Sequence, residues 1–166
     1  FFFFLAAAWN LRQVVLALTC FTAGHAVTLV ACVWYGLSVP ASVVEPAIAA
    51  TIVGMALFDR WSVHRSLTNA VAIRLSLVFA CALIHGLGLA GALSDLGVDG
   101  MGKAMSLAGF NVGIELGQIA VALTSALAMR GVRQVSGPAG IAGTTRVASY
   151  LSMAFGTFWF FQRALT

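Results

Sequence analysis

"LSLVFACALIHGLGLAGAL", residues 75–93, contains no Asp, Glu, Lys or Arg, and its one strongly polar side chain is His85. At a rise of about 1.5 Å per residue, a helix of this length nearly spans the roughly 30 Å hydrocarbon layer of a bilayer. The apolar residues follow one another in a long run, without the two-residue alternation of a strand, so the stretch reads as a membrane-spanning helix. The rest of the chain follows suit. Of its 166 residues 61% are hydrophobic and only 8% charged, with a mean hydropathy of +0.99. A soluble domain would carry about 25% charged residues. A membrane β-barrel would alternate apolar and polar residues in stretches of about ten, which is not the pattern here. The fold class is therefore all-α, a polytopic transmembrane helix bundle forming one domain over residues 1–166.

Working outward from that run, the sequence divides into about six helices, the first truncated at the N-terminus. The truncated one covers Phe1–Trp9, where four Phe open the chain with no initiator Met and no basic leader, as in a clipped or processed sequence. Complete spans are expected at about Gln13–Leu37, Ala41–Phe58, Thr68–Leu93, Lys103–Met129 and Thr145–Leu165. The stretch "GVRQVSGPAGIAGTTR" between the last two carries Gly and Pro and is expected to be a loop. Small residues at three- and four-residue spacing in "HGLGLAGAL" and "GFNVGIELG" predict close helix approach.

The pI near 9.5 does not signal nucleic-acid binding, because Lys and Arg mostly flank apolar runs as topology anchors. On alternating loops, Arg12, Arg60, Arg65, Arg130, Arg133 and Arg146 oppose Lys103 and Arg163, six against two. The larger set is expected on the cytoplasmic side, with both ends of the chain and the loop bearing Asp95 and Asp99 outside. Trp9, Trp34, Tyr35, Trp61 and Trp159 fall near span ends, as an interfacial aromatic belt requires. Cys20, Cys32 and Cys81 lie inside apolar runs and read as small buried hydrophobes. Arg74 is expected to snorkel to the headgroups, and Asp59–Arg60 and His64–Arg65 to form a solvated loop. No nucleotide-binding motif is present, and neither nucleotide nor nucleic acid is an expected partner.

Against this background a few polar residues stand out. His25, Glu45, His85, Asn111 and Glu115 lie within spans, where such groups are rare and face a bundle interior or a water-filled cavity. Asn111, Glu115 and Gln118 are spaced four and three, so they share one helix face. His25 shares a face with Thr28 and Cys32, and His85 with Cys81. His25 and Glu115 sit about 15–20 Å from the outer ends of their spans, His85 about 12 Å and Glu45 about 6 Å. Imidazole, carboxylate, carboxamide and nearby thiol are ligand types for a divalent first-row metal such as nickel, cobalt, copper or zinc. A bound cation would also offset the cost of carboxylates in hydrocarbon. Each residue has a bland alternative as an interhelical hydrogen-bonder, and His25 with His85 could ligate a haem.

The segments "FTAGHAVTL", "VPASVVEPAIAATIV", "LIHGLGLAGALSDLG" and "FNVGIELGQ" occur in the order typical of the HupE/UreJ family of membrane proteins, which the chain resembles over about residues 1–123. Ala26 stands where that family usually has serine, and the family's Asp-His pair of the first helix would fall upstream of Phe1. The resemblance implies a bacterial inner (plasma) membrane protein linked to hydrogenase or urease metal supply. It implies a non-enzymatic secondary permease or facilitator for a divalent metal, nickel first, with His25, Glu45, His85, Asn111, Glu115 and Gln118 at the motif positions. Its partners would be the lipid bilayer, the metal ion and other membrane subunits. The alternative is a structural or assembly subunit of a larger membrane complex.

Overall fold

The computed structural model describes residues 11–37, 39–63, 69–94 and 101–165. Among these the regular elements are all helical: α1 (Leu11–Tyr35), α2 (Ala41–Val63), α3 (Ala70–Ser94) and α4 (Met101–Ala164). Among the described residues, four helices are long and apolar enough to cross a membrane. Large apolar side chains such as Val27, Leu57, Leu116, Phe155 and Phe158 are exposed on the outside of the bundle, where acyl chains would meet them. Trp34, Tyr35 and Trp61 are exposed near helix ends, in keeping with an aromatic belt.

The expected count of about six is not reproduced. The truncated helix at 1–9 lies outside the described residues, and the expected fifth and sixth spans fall in the two helical arms that meet at Gly137 within α4. The expected loop at 131–146 is helical apart from Gly137, whose backbone turns to φ 62° and ψ −160°. Glycine takes a positive φ without the steric cost of a Cβ, so a single residue can end one helical arm. Pro138 follows at once, and its fixed φ suits the first position of the next arm.

Side-chain neighbours give the direction of each helix. Gly24 of α1 meets Phe79 and Ala82 of α3, and Gly86 of α3 meets Thr28 of α1. Further along, Cys32 and Ala90 share one core cluster with Leu29 and Leu107. The pairing advances along both helices together, so α1 and α3 are parallel. Its close approach needs glycine. A Cβ on Gly24 would lie 2.8 Å from the Phe79 carbonyl oxygen, and one on Gly86 would lie 2.9 Å from the His25 carbonyl oxygen. The expectation for "HGLGLAGAL" therefore holds at Gly86, and at Gly88, which packs on Ile48 and Val44. For "GFNVGIELG" it does not. A Cβ on Gly109, Gly113 or Gly117 would meet nothing within 4 Å among the described residues.

Helix α2 runs antiparallel to α3, with Val44 and Ile48 at Gly88, Thr51 at His85 and Asp59 at Arg74. The arm of α4 after Gly137 runs antiparallel to α2. Tyr150 lies against Arg60, Gly156 against Val53, and Arg163 against Glu45. The arm before Gly137 runs antiparallel to α1, with Leu107 beside Leu29 and Cys32, and Phe110 beside His25. The two arms of α4 thus point in opposite directions, and Gly137 is the tip of a helical hairpin. We refer below to the Pro40 end and the Asp59 end of the bundle.

Candidate functional site

The polar residues in the bundle interior fall into two groups, divided by the ring of Phe21. On one side is His25, only 4% exposed. Its imidazole is stacked between Phe21 (centroids 6.0 Å apart) and Phe110 (6.2 Å). Neither ring nitrogen has a hydrogen-bond partner among the described residues. Next in sequence to Phe110, Asn111 donates its amide to the Leu107 carbonyl at 2.9 Å, but its buried Oδ1 has no partner among the described residues. Gln118, seven residues on and on the same helix face, also has a buried and unpartnered Oε1. Glu115 lies between them, half-buried. Four orphaned polar atoms in a bundle interior are unusual, because buried polar groups are almost always satisfied.

On the other side of Phe21 lies His85, with its ring edge-on to that phenylalanine at 5.6 Å. Its Nε2 is 3.1 Å from the Thr51 hydroxyl. Thr51 already donates its proton to the Ile48 carbonyl at 2.7 Å, so its oxygen acts toward His85 as an acceptor. The hydrogen therefore belongs on Nε2, which leaves the lone pair on Nδ1. His85 and Thr51 line a cavity of about 170 Å³ bounded by α1, α2, α3 and the second arm of α4. Cys81, one turn from His85, lines it as well and lies beside the same Thr51 hydroxyl. This volume is large enough for several water molecules or a partly hydrated ion.

The far end of the cavity is formed by Asp59. The residue is 2% exposed, and its carboxylate pairs with the Arg74 guanidinium at 2.6 Å. Arg74 also donates to the Ser62 hydroxyl at 3.1 Å and lies over the Phe58 ring. This corrects two expectations. Asp59 is not in a solvated loop, because α2 continues to Val63, and Arg74 does not snorkel outward. A buried carboxylate one turn from the end of the preceding helix is a better partner for the guanidinium than a distant headgroup. His64–Arg65 lies outside the described residues.

The six sequence-predicted residues thus occupy three places. His25, Asn111, Glu115 and Gln118 belong to the α1 and first-arm side, and His85 to the cavity. Glu45 stands apart in the first turns of α2, ion-paired with Arg163 at 3.1 Å and about one-third exposed. Among the described residues, no group of three His, Cys, Asp or Glu side chains stands close enough together to hold a metal ion. Sequence reading passed over Thr51, Asp59, Ser149 and Ser152, all of which line the cavity. The serines carry no local signal, since each hydroxyl bonds back to its own helix, on Thr145 and Ala148. Asp59 could have been found from the presence of Arg74, an arginine six residues inside the expected span Thr68–Leu93 that calls for an anion on a neighbouring helix.

A sequence model of a family described as HupE / UreJ protein matches residues 1–163, and the chain belongs to that family. The match reaches well past the motif segments that end near residue 123. No curated protein and no solved structure matches the chain.

Proposed function

We propose that this membrane protein is a secondary permease or facilitator for a divalent transition metal, with nickel as the cation of first choice. Membership of the HupE/UreJ family links the chain to nickel and cobalt transport, and the finer reading rests on the interior polar groups. The observation that carries it is the set of orphaned atoms on α1 and the first arm of α4: both nitrogens of His25, Oδ1 of Asn111 and Oε1 of Gln118. Left unsatisfied, each costs about 1–3 kcal/mol. Nitrogen and amide oxygen with free lone pairs are ligand atoms for borderline first-row cations, so a passing ion would satisfy them in turn.

In this reading His25, Asn111, Glu115 and Gln118 form one station, and His85, through the lone pair on Nδ1, the next. Glu45, near the Pro40 end, takes up a cation by exchanging its present partner Arg163 for it. The Pro40 end faces outward in the proposed orientation, since the arginines of the α4 hairpin tip and of α2 gather at the other end. Nickel uptake into cells or vesicles tests the reading, comparing wild type with His25→Ala, His85→Ala and Glu115→Gln. Uptake is expected to fall at least tenfold in each. Unchanged uptake in all three would exclude the pathway.

One observation favours a second reading, a non-transporting subunit of a larger membrane complex. Among the described residues the glycine face Gly109–Gly113–Gly117 has no neighbour within 4 Å, although its four-residue spacing suits close contact with another helix. Stable co-purification of partner subunits, with no nickel uptake by the wild type, would select this reading.

A further inference from the structure

We propose that Asp59 is a separate cation station at the end of the cavity and that Arg74 is its gate, a tethered cation that holds the carboxylate until a divalent ion displaces it. The proposal rests on the permease reading and extends it to residues outside the His25–Glu115 set.

The geometry is as follows. The cavity is lined by Thr51 and His85 at one end and by Asp59 at the other. Thr51 and Asp59 are eight residues apart on α2, which corresponds to about 12 Å along the bundle. Cys81 and Val78 of α3 line the middle, and Ser149 and Ser152 line the side formed by the second arm. Beyond Asp59 only the last residues of α2 remain, and Arg74 lies just over one turn from the start of α3. The Asp59–Arg74 pair, with Ser62 behind it, therefore stands between the cavity and the Asp59 end of the bundle.

An ion pair buried in a membrane-spanning bundle is weak support for stability. Two apolar side chains of similar volume would often do as well, so such pairs point to function. Asp59 is the one carboxylate among the described residues that line the cavity. A cation leaving His85 toward this end meets that carboxylate already neutralised by a guanidinium. Two positive charges then compete for one anion. Binding of the ion releases Arg74 from Asp59 while Ser62 keeps hold of the guanidinium, and its swing toward the helix ends opens the cavity on that side.

Cys81 serves as a built-in reporter, because its thiol lines the cavity between the two stations. The test uses the full chain with Cys20→Ser and Cys32→Ser, in vesicles, with a membrane-impermeant cationic methanethiosulfonate added on the Asp59 side. In wild type, labelling of Cys81 is expected to be slow. Arg74→Gln is expected to raise its rate at least threefold, and nickel chloride is expected to slow the raised rate at least threefold by occupying Asp59. Asp59→Asn is expected to open the cavity similarly but to lose the protection by nickel. The exchanged pair Asp59→Arg with Arg74→Asp is expected to return labelling to the wild-type rate, which covers the case in which a single variant fails to fold. Labelling within threefold of wild type in both single variants would overturn the gate, as would equal nickel protection with and without the Asp59 carboxylate. Nickel uptake is measured in the same vesicles. Uptake by wild type with unchanged labelling overturns the gate alone, whereas absence of uptake by wild type overturns the permease reading and the gate with it.

Discussion

The two sides of Phe21 treat polar groups differently. Around the cavity they are paired: His85 with Thr51, Asp59 with Arg74, and Ser149 and Ser152 with their own helix carbonyls. On the side of α1 and the first arm of α4, His25, Asn111 and Gln118 keep buried atoms without partners among the described residues. The two histidines are the sharpest contrast. They lie on parallel helices, and both rings contact the same phenylalanine. One is fixed by a hydroxyl and the other by stacking alone. Paired groups are explained by the fold itself, whereas orphaned ones need something beyond it, and this is the reason to place the first ion station at His25.

The largest effect is expected where pairing is most costly to break. Asp59→Leu leaves the Arg74 guanidinium buried without its anion and is expected to cost about 3–5 kcal/mol of stability, whereas Asp59→Leu with Arg74→Leu is expected to be near neutral. Thermal unfolding in detergent would show it, and equal losses in the two variants would mean that the pair is not a buried unit. Next comes the seam on which both histidines depend. Gly86→Leu would drive a side chain into the His25 carbonyl and Thr28, and overpacking of this kind is expected to cost about 1–3 kcal/mol. The same change at Gly113 is expected to leave the unfolding midpoint unchanged, because nothing there lies within 4 Å.

The third prediction has the opposite sign. His25→Leu removes two orphaned nitrogens and is expected to stabilise the metal-free protein by about 1–2 kcal/mol while lowering nickel uptake at least tenfold. A destabilised variant would show that His25 has a partner after all, and the contrast between the two sides would collapse. The smallest effect belongs to Thr51→Val, which removes the hydrogen bond to His85. It is expected to cost about 0.5–1.5 kcal/mol and to be independent of His25, so that the unfolding loss of a Thr51→Val, His25→Leu double variant equals the sum of the singles.

Much of this architecture was legible in the chain because hydrocarbon imposes a simple rule on it. A run such as 75–93 can only be a helix, and α1, α2 and α3 stand where apolar runs place them. The hairpin at Gly137 was legible only in part. The Gly-Pro pair announced a break, but in a lipid or interfacial setting the remaining glycines of 131–146 stay helical, and composition alone could not say so. Among the polar residues, local spacing found the Asn111–Gln118 face, because that face is a property of one helix. It missed the Asp59–Arg74 pair, because fifteen positions and a change of helix separate the partners. It also could not tell His25 from His85, since pairing with Thr51 depends on the register of α2 against α3.

The cavity also bears on how the protein is made. Its walls come from α1, α2, α3 and, through Ser149 and Ser152, from the arm of α4 that the ribosome delivers after all the others. Until that arm arrives, Thr51 and Asp59 lie in an open groove facing lipid. The arm can settle only after the turn at Gly137 has reversed the chain, so the two halves of α4 should enter the membrane as one inserting unit. Interior polarity in this bundle is thus completed late in biogenesis, and a fault in the hairpin would be felt first by the groups that the cavity shelters.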